Sequence, residues 1–148
     1  MPDNSLEMIV YSSTARKLLS TYELETQLKQ YRYSNQLSGI TGILMHLNGS
    51  FLQCIEGEKE ALSSLYAKIQ LDDRHTNVKT LLQAPIKEKL FESWYMGYYE
   101  YGERFIKIDE SCKTHPFSEL DKKVLQHGPV DGSLVSLHKI INTFLKHA

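Results

Sequence analysis

Cysteine is scarce: Cys54 and Cys112 are the only two, far apart and without Cys-x-x-Cys spacing, which excludes a disulfide framework and a cysteine-built zinc site. One-sided charge is missing too. Lys and Arg total 17 against 18 for Asp and Glu, a formal net charge of −1, so no global field draws the chain to nucleic acid or an anionic membrane. No apolar run approaches the ~20 residues of a membrane helix, and the opening Met-Pro-Asp-Asn-Ser-Leu-Glu lacks a basic segment followed by an apolar one. The expected location is the cytoplasm. The histidines, His46, His75, His115, His127, His138 and His147, show no metal-ligand spacing. Gly39-x-x-Gly42 is too short for a phosphate loop, and no Ser-His-Asp or paired-carboxylate arrangement stands out. Neither a metal site nor a catalytic set is expected, and there is no repeat or low-complexity segment.

What remains is enough for one domain with a sizeable core. A chain of 148 residues buries roughly 68–70% of its unfolded surface. Gln53 is the most informative residue in it. It lies inside the apolar run Phe51-Leu52-Gln53-Cys54-Ile55, and period-2 parity puts it on the face of Phe51 and Ile55. An unpaired buried carboxamide costs about 1–3 kcal/mol, so a polar partner must meet it inside. Tyr11, in the second apolar run Met8-Ile9-Val10-Tyr11, is the natural candidate, because a phenol is both a hydrogen-bond partner and an oxidisable side chain.

Leu6 to Ser13 reads as the first strand, and Ser20-Thr-Tyr-Glu23 has capping-box spacing for a helix running to about Asn35. Leu24, Leu28 and Tyr31 form its inward face; Glu23, Glu25, Lys29 and Arg32 supply polar positions. Asn48-Gly49 joins strands Ile40 to Leu47 and Ser50 to Glu56, pairing Leu47 with Ser50 and Leu44 with Gln53. A second helix is expected over Glu58 to Leu71, a fourth strand over Asn77 to Leu82, a connection from Pro85-Ile86, and a fifth strand over Ser93 to Tyr101. Trp94 and Met96 would share one face of that strand. Leu134, Leu137, Ile141, Phe144 and Leu145 mark an amphipathic helix after Asp131-Gly132-Ser133, with a weaker helix over Phe117 to Gln126. The expected class is α+β and ferredoxin-like: a five-stranded mixed sheet, two helices on one face, and a C-terminal helical extension on the other.

Five ordered segments carry a resemblance. Ile9-Val10-Tyr11-Ser12-Ser13, Asn35 with Gly39-Ile40-Thr41-Gly42, Phe51 to Glu58, Asp73-Arg74-His75-Thr76-Asn77-Val78 and Trp94-Tyr95-Met96 together resemble a BLUF domain. That family senses blue light with FAD, and the resemblance covers roughly residues 6 to 101. It implies a flavin between the two helices, FAD being expected, with FMN and riboflavin sharing its ring. By position, Tyr11 matches the family's photoactive tyrosine and Gln53 the glutamine bridging it to the flavin N5 and C4 carbonyl edge. Asn35 matches the asparagine holding the C4 carbonyl and N3 side, Arg74 and His75 the Arg-His pair near the ring, and Trp94 and Met96 the two positions tied to signalling. Ser34 departs from relatives that carry a larger polar or aromatic residue there.

The resemblance implies a flavin-binding domain over 1–105 and a helical extension packed on the sheet over 106–148. It implies a photoreceptor, not an enzyme, whose red-shifted lit state alters association with a downstream protein partner or with itself as a homo-oligomer, without nucleic acid or membrane. Two rivals share the architecture: an acylphosphatase-like hydrolase using Arg16 and Asn35, whose glycine-rich loop is missing, and a flavin-free interaction module.

Overall fold

The computed structural model describes residues 5–120, 122 and 133–146. Strand β1 (Leu6–Ala15) leads to helix α1 (Thr21–Ser38), which starts where the sequence predicts: the Ser20 side chain accepts from the Glu23 amide and the Glu23 side chain accepts from the Ser20 amide. The helix runs one turn past Asn35 and ends on Gly39, whose φ of 69° is the left-handed cap that glycine adopts without strain. Asn35 is therefore an interior residue of the last turn. Strands β2 (Thr41–Leu47) and β3 (Ser50–Glu58) form the expected hairpin with Leu47 opposite Ser50 and Leu44 opposite Gln53, and both turn residues, Asn48 and Gly49, have positive φ. Helix α2 (Lys59–Leu71) follows directly.

Strand β4 (His75–Ile86) is longer at both ends than the alternation of Asn77 to Leu82 implies, and Pro85 lies inside it. The reason is position. β4 pairs only with β1 at one edge of the sheet, where a missing amide donor costs little, and its two register shifts spread the pairing over irregular stretches. Strand β5 (Gly97–Glu100) is shorter than expected and runs parallel to β2, making the sheet mixed. Two more short strands, β6 (Phe105–Lys107) and β7 (Thr114–Pro116), extend it to seven strands in the order β4-β1-β3-β2-β5-β6-β7. The expected count of five strands is corrected accordingly, the two added strands lying at the start of the segment expected as a helical extension. Three-residue strands carry too little alternation to be read from sequence.

The sheet has two packed faces. Ile9, Tyr11, Leu44 and Ile55 meet Leu28 of α1 and Leu62 and Tyr66 of α2 on one; Met8, Val10, Met45, Leu52 and Cys54 meet Leu137 and Ile141 on the other. Those last two belong to helix α3 (Ser133–Lys146), the expected amphipathic helix. A 3₁₀ turn, Phe117–Glu119, begins the weaker helix, most of whose remaining residues lie outside those described.

Candidate functional site

Between α1, α2 and the sheet lies a cleft of about 820 Å³, counting the part open to solvent. Its walls are apolar, with Leu24 from α1 and Leu65 and Ile69 from α2, and its floor holds Tyr11, Leu44, Phe51 and Gln53. Polar side chains converge on it from Gln27, Tyr31, Asn35, Asp72, Arg74 and His75, with Lys17 also lining it. An apolar slot with a few placed polar groups suits a planar aromatic ligand carrying polar edges.

β1 and β3 pair with Tyr11 directly opposite Gln53, so both side chains rise from the same face. The Tyr11 hydroxyl donates to Gln53 Oε1, and Gln53 Nε2 donates to Met96 Sδ at 3.2 Å. The amide's orientation follows from its neighbours. A thioether can only accept, so the NH₂ end belongs at Met96 and the oxygen end at the phenol. Burial, reinforced by Tyr31, Tyr66 and Asp72, pushes the Tyr11 phenol far above its ordinary pKa. Ionising it in place is excluded at neutral pH.

Asn35 is buried, and its Nδ2 donates to the Tyr95 carbonyl at 2.6 Å, tying the last turn of α1 to the approach to β5. Arg74 grips Asp72 with two nitrogens, at 2.6 and 3.0 Å, and its guanidinium sits 5.7 Å from the centre of the Tyr31 ring. That pairing raises the Arg74 pKa and, with the Arg74 amide, lowers that of Asp72. His75 opens β4. Its Nε2 faces the Ile69 carbonyl at 3.0 Å and its Nδ1 the Ser13 hydroxyl at 3.1 Å, so a neutral ring protonated at Nε2 satisfies both.

Tyr11, Asn35, Gln53, Arg74, His75 and Met96 thus line one cleft, and Trp94 does not. Trp94 belongs to the α3 side, with Phe91 at 5.6 Å and His115 at 5.1 Å between ring centroids. The expectation that Trp94 and Met96 share a face is therefore corrected. β5 begins only at Gly97, and the Trp94 amide closes a turn on the Phe91 carbonyl at 2.7 Å, which breaks the alternation. Gly97 makes room for the indole: a Cβ there would lie 2.9 Å from Trp94 Cε3. Arg16, the hydrolase rival's cation, is exposed beyond β1 and does not line the cleft that Asn35 lines.

Two polar residues escaped the sequence reading. Glu56 is fully buried, accepting from Thr41 Oγ1 at 2.7 Å and from the Phe91 and Leu90 amides at 2.7 and 2.8 Å. Burial raises its pKa against the lowering effect of those donors. Its parity with Leu52 and Cys54 was the available signal. Arg32 reaches from α1 to the Met96 carbonyl, and its position among exposed helix residues gave no sign of this.

The family model described as "BLUF: Sensors of blue-light using FAD" matches residues 6–97. The photoactivated adenylate cyclase subunit beta of Euglena gracilis is 37% identical over 91 residues, covering 62% of this chain and 11% of that protein. A ground-state structure of BlsA superposes with a TM-score of 0.61 at 36% identity, over 66% of each chain. The dark-state structure of BlrB, a BLUF protein, has a TM-score of 0.68 at 24% identity, over 97% of this chain and 99% of that one, a likeness of fold.

Proposed function

The chain belongs to the BLUF family of flavin-based blue-light sensors, and on that premise we propose that the α1–α2 cleft holds FAD, with Tyr11 and Gln53 as its photoswitch. The observation that carries the reading is the chain of contacts from the Tyr11 hydroxyl through the Gln53 amide to the Met96 sulfur. Asn35 and Gln53 offer amides to the polar edge of the ring, Arg74 and His75 line its surroundings, and Lys17 adds a positive charge for a phosphate arm. FMN and riboflavin carry the same ring, and FAD is preferred because the family's description names it.

When bound, the flavin supplies a strong oxidant on absorbing blue light. Tyr11 would give up an electron and a proton together, since a buried phenol cannot hold a charge alone, and would take both back, leaving the lasting change in the Gln53 amide. The proton's path is already laid, from Tyr11 Oη to Gln53 Oε1. Rotation or tautomerisation of the Gln53 amide then reverses which end donates, and a new donor toward the ring's carbonyl shifts absorption to the red. One rewired hydrogen bond is worth on the order of 1 kcal/mol, about fivefold in a two-state equilibrium.

BLUF domains act as sensors for effector partners. The match to the cyclase subunit lies within 11% of that protein, so nucleotide cyclisation is not carried over. The proposed chain is a non-enzymatic receptor, residues 1–105 sensing light and 106–148 passing the change to a protein partner or a second copy. No helix among the described residues is long and apolar enough to cross a membrane, and a cytoplasmic site of action fits that reading. Purified protein supplied with flavin should be yellow, release FAD on denaturation, and show a reversible red shift under blue light; colourless protein that ignores added FAD contradicts the reading.

A further inference from the structure

Arg32 makes three contacts on two other segments of the chain. Its side chain is only 11% exposed, although the helix face around it is polar. Nε donates to the Met96 carbonyl at 2.9 Å, Nη2 to the Lys107 carbonyl at 3.2 Å, and Nη1 to the Glu110 carboxylate at 2.9 Å. A planar guanidinium reaches these three acceptors from three separate nitrogens, a spread that the single nitrogen of an ammonium does not span.

The position of these acceptors matters more than their number. Met96 is the residue whose sulfur takes the Gln53 amide, so Arg32 grips by its backbone the same residue the switch touches by its side chain. Lys107 ends β6 and Glu110 lies between β6 and β7, outside the family-matched segment. We infer that Arg32 is a positioning residue that couples rearrangement at Gln53 to the β6–β7 hairpin. The inference rests on the flavin reading of the cleft.

Reversal of the Gln53 amide would aim its oxygen at the Met96 sulfur, and two acceptors facing each other must separate. Met96 cannot move freely. Gly97 beside it is registered on Ile43, and the Met96 carbonyl is held by Arg32, so a shift of the Met96 backbone pulls on the guanidinium and, through it, on Lys107 and Glu110. The hairpin is built of two three-residue strands and yields more easily than the central sheet. From it, Ile106 enters the core shared with Leu137, and His115 meets the Trp94 ring. The hairpin therefore links the cleft side of the sheet to the α3 side.

Hydrogen–deuterium exchange of the FAD-loaded full chain, in darkness and under continuous blue light with absorption recorded in parallel, tests the coupling. The parent should red-shift and show amide exchange over 105–116 that changes roughly fivefold with light, the scale of one hydrogen bond. Arg32→Ala should keep the red shift and lose that light–dark difference. Arg32→Lys, which keeps the stem and charge and serves if the alanine variant fails to fold, should lose it as well. A full light–dark difference in a folded Arg32 variant overturns the inference, as does a parent that red-shifts while its hairpin ignores light. A flavin-loaded parent with no red shift instead sinks the photoreceptor reading itself.

Discussion

An amide set between a phenol and a thioether has one orientation that satisfies all three groups, and that asymmetry lets residue 53 store a bit of information. Gln53→Leu removes both ends of it, leaving the buried Tyr11 hydroxyl without its acceptor at a cost of about 1–3 kcal/mol. The variant should bind flavin, lose that stability in urea titration, and show no normal red shift. Tyr11 also sets a pH dependence. Its folded pKa is raised by burial, so the neutral phenol is favoured in the fold; that contribution is complete below the ordinary value of about 10 and is lost as pH rises beyond it. The amplitude of the red shift should accordingly be flat from about pH 6 to 9, followed by alkaline destabilisation above about 10, both measurable on one buffer series. A titration of the amplitude near neutral pH would point to a different donor.

At the scale of elements, β3 works on both faces. Gln53 faces the cleft, while Glu56, three residues on, faces the other way and holds the turn ahead of Trp94. Glu56→Gln keeps one acceptor and turns an NH₂ toward one of the amides that the carboxylate satisfied. The expected cost is about 1–3 kcal/mol in urea unfolding, with faster amide exchange at Leu90 and Phe91; an unchanged variant would mean that this turn is held from elsewhere.

The same strand shows what a sequence can and cannot disclose. Parity puts Gln53 on the inward face with Phe51 and Ile55, turn chemistry at Asn48-Gly49 sets the hairpin register, and the capping box at Ser20 sets the start of α1; each depends on neighbours in the chain. The position of Trp94 depends on a turn fixed by Glu56 from some 35 residues away, and Arg32 is explained only by carbonyls brought to it through tertiary packing. Gly42 is a similar case. The sequence shows it in a Gly-x-x-Gly too short for a phosphate loop and in one segment of the family resemblance, neither of which discloses that a Cβ there would come within 2.0 Å of the Cys54 carbonyl oxygen.

For the whole molecule, the sheet is a wall between a ligand cleft and an apolar core closed by α3. Stability and light response should therefore be separable. Leu137→Ala, at a fully buried position on the α3 side, should cost about 2–5 kcal/mol in denaturant yet leave the red shift intact. Loss of the spectral response in a folded Leu137→Ala protein would show that the two faces are not independent. Whether the cleft is a photoswitch is decided by an illuminated-minus-dark absorption spectrum of the FAD-loaded chain beside its Tyr11→Phe variant. A reversible red shift is expected in the parent and none in the variant, with flavin bound in both. A full, reversible shift in Tyr11→Phe would contradict that expectation.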